Sequence, residues 1–321
     1  MFHYDRGLKL TLADLAIDCP RRQPRAFISH AHFDHMARHV YALCTPETAR
    51  LYHLRLGTRP VLEMPYRQTF DWGGLRLTTF PAGHCLGSAM LLADDGQSRL
   101  LYTGDFRLGM SLTAERADFP QADILVIEST YGDPRHCFQP REQAVEQLVA
   151  LVRSAFDRGM PPVVQAYTLG KAQEVAAVLG AAGIPVLQHP EIYRVSEVYR
   201  QCGIPLENCR PYRGRVEPGH AIVVPPRFHR PASLPGLGEP FGIAVTGWAT
   251  DQQALRRYGV EHAVVMSDHA DYEELLEAVA RVQAREIYCT HGPPQFVELL
   301  RSAGFNAFRL GEVDRRPQAA T

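Results

Sequence analysis

The sequence predicts an α/β protein, and three observations carry that prediction. Short apolar runs alternate with turns in the first part, helix and strand patterns alternate after Pro140, and ligand-type side chains sit where apolar runs end. In chain order, residues 12–17, 25–29, 75–80, 89–92, 99–103 and 124–127 read as strands. Residues 46–56 read as a helix, with Pro46 suited to its first position. Beyond Pro140, residues 141–158 are a long amphipathic helix, 162–166 a strand, 169–179 a helix and 184–187 a strand. A Pro-rich, loop-like section spans 209–240. Strands at 242–246, 262–266 and 286–290, helices at 271–282 and 294–303, and a short strand near Ala307 complete the pattern. Residues 314–321 read as a disordered tail.

The 321 residues suffice for one large domain or two ordinary ones. No apolar run approaches the ~20 residues of a membrane span, and the first residues lack a basic-then-apolar signal pattern, so a cytoplasmic location without membrane contact is expected. Seven cysteines with no Cys-x-x-Cys pair point to reduced thiols, not to a disulfide framework or zinc ribbon. A net charge of −1 provides no general attraction for nucleic acid, so phosphate binding must be local. The basic residues are almost all arginine, with Lys9 and Lys171 the only lysines. Arg210, Arg213 and Arg215 form one cluster, which reads equally well as a phosphate contact or a solvated loop.

The densest chemistry lies in Ser29-His30-Ala31-His32-Phe33-Asp34-His35, directly after an apolar strand. Imidazole and carboxylate are ligands for Zn²⁺ and similar divalent ions. Four such groups exceed the needs of one ion, so a pair of metals is the simpler reading, with His30 and His32 on one and Asp34 and His35 on the other. Further ligand-type residues follow other strands: His84 in Ala82-Gly83-His84, Asp105 in Thr103-Gly104-Asp105, Glu128, His269 in Ser267-Asp268-His269-Ala270-Asp271, and His291 in Thr290-His291-Gly292. Strands of one sheet bring such ends together along an edge. His3, His39, His53, His136, His189, His220, His229 and His262 lack this context and read as ordinary; His39, four residues after His35, is read as structural.

These motifs resemble the metallo-β-lactamase superfamily: Asp18, the His-x-His-x-Asp-His signature at 30–35, His84 and Asp105. Glu128 in Glu128-Ser129-Thr130, the helix-opening Leu169-Gly170-Lys171-Ala172-Gln173-Glu174, His269 and His291 resemble its β-CASP nucleases. The segments around Trp248, His269 and His291 look most like the bacterial DNA-ligase-associated exonucleases. The likeness implies an αββα sandwich, residues 1–132 and 242–321, interrupted by an inserted α/β β-CASP domain, residues 133–241.

It also implies roles. His30, His32 and His84 would hold one divalent ion, and Asp34, His35 and His291 a second. Asp105 would bridge the two, which would be zinc, with manganese the alternative. His269 would act as general acid at the leaving oxygen, supported by Glu128; Asp34 would be catalytic through its ion. Asp18 would fix a ligand histidine from behind, and Lys171, opening a helix, would contact a phosphate or else be an exposed helix residue. The expected function is a two-metal nuclease acting on nucleic acid, DNA before RNA, as a repair exonuclease with ligase and helicase partners. Pro293 stands where RNA-processing relatives often carry an acid, and the presence of His291 argues against the eukaryotic repair branch. The alternatives are an RNA-processing ribonuclease of the same superfamily, a lactone or thioester hydrolase, and a non-catalytic binding partner.

Overall fold

The computed structural model describes residues 1–5, 7–226, 237, 239–250 and 256–315. They divide into two compact units: 1–110, 114–137 and 269 onward in the first, 111–113 and 138–268 in the second.

The first unit is an αββα sandwich. Its first sheet runs β1 (Phe2–Tyr4), β2 (Leu8–Leu10), β3 (Leu15–Ile17), β4 (Arg25–Phe27), β5 (Tyr41–Cys44) and β6 (Val61–Glu63), in sequence order. Helix α1 (Pro46–Leu56) lies between β5 and β6, with Pro46 in its first turn and the Thr45 side chain capping the Thr48 N–H. β7 (Thr69–Trp72), β8 (Leu75–Pro81), β9 (Ala89–Asp94), β10 (Arg99–Tyr102) and β11 (Ile124–Glu128) begin the second sheet. The expected strand at 12–17 is only half formed: residues 11–14 make a turn, Asp14 has φ 46°, and β3 starts at Leu15. That turn lets β2 and β3 pair antiparallel.

The second unit carries a parallel sheet, built from β12 (Pro162–Gln165), β13 (Val186–Gln188), β14 (Cys209–Pro211), β15 (Ala221–Val224), β16 (Phe241–Val245) and β17 (His262–Val264), in the order β14-β13-β15-β12-β16-β17. Among its described helices are α2 (Arg141–Asp157), α3 (Lys171–Ala181) and α4 (Pro190–Gln201). The expected boundary at 241/242 is therefore displaced. Residues 241–245 and 262–264 pair with this sheet, and the chain changes unit between Asp268 and His269. The 209–240 section is not all loop, since β14 and β15 lie within it; residues 227–236 and 238 fall outside the described residues.

Back in the first unit, α5 (Tyr272–Val282) buries Leu275, Ala278, Val279 and Val282, the i, i+3, i+4, i+7 stripe of a helix on a sheet. β18 (Glu286–Thr290) then pairs parallel with β11, α6 (Pro294–Ser302) follows, and β19 (Ala307–Arg309) pairs with β18. The second sheet runs β19-β18-β11-β10-β9-β8-β7. One face packs Leu91, Leu100, Tyr102 and Val126 against Leu10, Leu15, Phe27 and Leu43 of the first sheet. The other packs Leu101, Leu125, Ile127 and Ile287 against Leu275, Val279, Phe296 and Leu300 of α5 and α6. β11 and β18, covered on both faces, have the near-continuous apolar runs expected of central parallel strands. Of the expected tail, Asp314 and Arg315 close a 3-10 turn begun at Leu310, and 316–321 lie outside the described residues. Among the described residues no helix is long and apolar enough to cross a membrane.

Candidate metal centre

The ends of β3, β4, β8, β10, β11 and β18 bring Asp18, His30–His35, His84, Asp105, Glu128 and His291 to the first unit's ligand-bearing edge. His30 Nε2 lies 2.9 Å from His32 Nδ1, which lies 3.2 Å from His84 Nε2. Asp105 Oδ2 lies 3.5 Å from His30 Nε2 and 4.0 Å from His84 Nε2. Zinc–ligand bonds of about 2.0–2.1 Å at tetrahedral angles set donors about 3.3 Å apart. These four residues therefore fit one divalent ion, and together they form a cluster of mutually close donor atoms. Three imidazole nitrogens facing one another have too few protons to satisfy themselves pairwise; a cation at their centre satisfies all three lone pairs.

The supports behind the ligands fix which nitrogen faces inward. Asp18, with φ 43° after β3, accepts the Ser29 N–H at 2.7 Å, the Ser29 hydroxyl at 2.5 Å, His35 Nδ1–H at 2.8 Å and the Tyr102 hydroxyl at 2.8 Å. Because Ser29 Oγ gives its proton to Asp18, it accepts from His30 Nδ1–H at 3.0 Å. That leaves Nε2 of His30 and of His35 as the ring nitrogens facing Asp105. Burial, reinforced by His35, His84 and His32, holds His30 well below the usual imidazole range, so it is neutral and able to ligate. Burial opposes charge at His35 too, but Asp105 and Asp18 outweigh it and raise its pKa well above the ordinary value. The same field favours any cation placed there. At Asp105, burial is outweighed by His35 and His269, and the carboxyl lies well below its usual range.

The second set is more open. His35 Nε2 lies 3.3 Å from Asp105 Oδ2 and 3.7 Å from Asp34 Oδ2, and Asp34 is 82% exposed. The His291 ring stands 5.5 Å from that of His35, centroid to centroid. His291 has φ 54°, and a Cβ on the following Gly292 would lie 1.9 Å from the Ser129 carbonyl oxygen. Glycine is therefore required where the His291 loop crosses the end of β11.

Beside these ligands, His269 Nδ1 lies 3.1 and 3.2 Å from the two oxygens of Glu128. Glu128 is fully buried and also accepts from the Phe106 N–H at 2.9 Å and the Thr130 hydroxyl at 2.5 Å. The His269 ring packs 4.7 Å from His84. Its Nδ1 proton thus goes to Glu128, which leaves Nε2 as the other ring nitrogen.

Lys171, at the start of α3, is 1% exposed and its Nζ pairs with Asp268 Oδ1 at 3.1 Å, which excludes the exposed-helix alternative to a phosphate contact. Arg210 pairs with Glu217 at 2.8 Å, which favours the solvated-loop reading of its cluster. His39 is structural, its two ring nitrogens 3.1 Å from the backbone N–H groups of Gln23 and Ala37. His229 lies outside the described residues. Sequence reasoning missed Ser29, Tyr102 and Thr130; hydroxyl residues are too common for spacing to mark them.

Residues 255–309 match the family described as the Zn-dependent metallo-hydrolase RNA specificity domain. A probable DNA ligase of Opitutus terrae is 34% identical over 316 residues, 96% of this chain and 31% of that protein. Cleavage and polyadenylation specificity factor subunit 3 of Dictyostelium discoideum is 34% identical over 141 residues, 43% of this chain and 18% of the relative.

The chain belongs to the metallo-β-lactamase superfamily, in its β-CASP branch.

Another relative, transcription termination factor FttA of Methanothermobacter thermautotrophicus, is 33% identical over 189 residues, 47% of this chain and 30% of its own. The chain thus spans about a third or less of the length of these curated relatives. A crystal structure of a protein of unknown function from Enterococcus faecalis shares the fold, with TM-score 0.57 and 14% identity over 83% of this chain and 75% of that one.

Proposed function

We propose that this β-CASP protein is a two-metal phosphodiesterase that digests a DNA strand from its end. The observation that carries the reading is the pairing of His269 with buried Glu128 directly beside the cluster of His30, His32, His84 and Asp105. In this reading His30, His32 and His84 would hold one zinc ion, Asp34, His35 and His291 would hold a second, and Asp105 would serve both. Bound there, such ions supply an acidified water and positive charge for a pentavalent phosphorus. His269 Nε2 delivers a proton to the leaving oxygen, and Glu128 keeps the ring in the right tautomer and steadies its charge. Asp18 orients His35 from behind. A thioesterase, which expels a thiolate, has less need of this proton donor.

DNA is favoured by the likeness to a ligase-named protein over nearly the whole chain, which also suggests a DNA ligase, with a helicase, as partner in a cytoplasmic repair reaction. RNA cleavage is the second reading, favoured by the RNA-specificity match at residues 255–309. Single-stranded DNA and RNA of one sequence, labelled at either end, test both. Stepwise loss of DNA, abolished in His32→Ala and by chelator, supports the proposal. Preferential RNA cleavage moves the substrate, and intact cleavage in His32→Ala sinks the metal mechanism.

A further inference from the structure

Phe33 lies between His32 and Asp34, in the tightest part of the ligand loop, yet it is 60% exposed. A single exposed apolar side chain is ordinary on a surface. Here, however, the ring is built into a rigid setting. The Arg55 guanidinium lies 4.3 Å from the ring centroid, covering one face. Arg55 is itself anchored, donating from Nη1 to the Ala31 carbonyl at 2.6 Å. One turn earlier on α1, the Tyr52 hydroxyl donates to the Ala37 carbonyl at 2.7 Å, so two α1 side chains pin both ends of the loop. With Arg55 against it, the residue still stays mostly open to solvent, between His32 and Asp34.

We infer that Phe33 and Arg55 form a stacking platform for one nucleobase of the strand held at the metals. This rests on the nuclease reading above and adds the subsite that seats the strand. A planar ring backed by a guanidinium suits a base: stacking is available to every base, and the cation adds attraction to the base and to nearby phosphates. An aliphatic residue at this position would fill the same volume without offering a π-face. Because the ring is held before any ligand arrives, little side-chain freedom is lost on binding.

The test measures anisotropy on single-stranded DNA with phosphorothioate linkages, with the zinc-loaded protein, so that binding is read without turnover. Phe33→Leu keeps the bulk and removes the ring; Phe33→Trp keeps a ring. Phe33→Leu should weaken binding about ten-fold, the size expected for loss of one stacked base, and Phe33→Trp should bind like the parent. A scan of single abasic positions should find one that weakens the parent protein by the same factor and leaves Phe33→Leu indifferent. Should no abasic position weaken the parent, the platform is refuted whatever the variants do. Equal losses in parent and Phe33→Leu at every position refute it too. Ring-dependent binding without cleavage of an ordinary strand would fault the nuclease reading alone; cleavage with ring-independent binding would fault the platform alone.

Discussion

Asp18 accepts four hydrogen bonds, two from Ser29 and one each from His35 and Tyr102, and through His35 and Ser29 it holds the rings of His35 and His30 in place. Asp18→Asn keeps the shape but turns a donor toward other donors, freeing His35 to rotate. Metal affinity should fall roughly 10–100-fold, the range seen when an outer partner of a ligand is lost; competition with a chromogenic chelator reads this. Glu128→Gln removes the charge that complements protonated His269. Cleavage should drop by about 10²–10⁴, the usual contribution of a positioned proton donor. A substrate whose leaving oxygen is replaced by sulfur needs no such proton, so the variant should recover most of its rate on it. An equal loss on both substrates would remove His269 from the proton-transfer role. The candidate ligands that the fold brings together were legible, because imidazoles and carboxylates at strand ends are uncommon enough to stand out. Their hydroxyl partners were not, since Ser29 and Tyr102 acquire meaning only when β3, β4 and β10 are brought together.

At the level of elements, the end of β18 holds His291 only because Gly292 lies against the Ser129 carbonyl. Gly292→Ala forces the loop away from β11. The variant should bind one zinc equivalent in place of two and melt at a lower temperature, as metal analysis and thermal unfolding would show. Two retained equivalents would mean that His291 is not a ligand. α4 shows what sequence can carry: Pro190 opens it, and Ile192, Val195, Val198 and Tyr199 are buried at helical spacing. That pattern is readable in the sequence. β15 is not, for a four-residue apolar run has no periodicity to separate it from a buried loop. The unit boundary failed for a related reason. β16 and β17 are short parallel strands whose composition suits either unit, and only their pairing next to β12 decides.

For the whole molecule, acid should act on stability through His39. Burial, aided by Arg59 and opposed by Asp18, pushes this imidazole from 6.5 down to about 4. The unfolded chain then binds a proton that the folded one refuses. His39 therefore contributes nothing unfavourable above pH 6.5, and stability falls as pH drops from there to about 4. Denaturant midpoints across that window should fall less steeply in His39→Gln than in the parent, once each curve is referred to its own value at pH 7.5; His30 and His189, also held below the ordinary imidazole value by burial, keep the remaining slope. The αββα arrangement followed from family motifs more than from periodicity, because strands of three or four residues are too short to declare their sheet. The central claim is that two ions act together at one edge of the first unit. Zinc titrated into the metal-stripped protein, with bound metal and cleavage of a single-stranded DNA followed on the same samples, tests it most directly. Cleavage should stay near background through the first equivalent and rise with the second. Full activity at one equivalent, or two bound ions without cleavage of DNA or RNA, would contradict it.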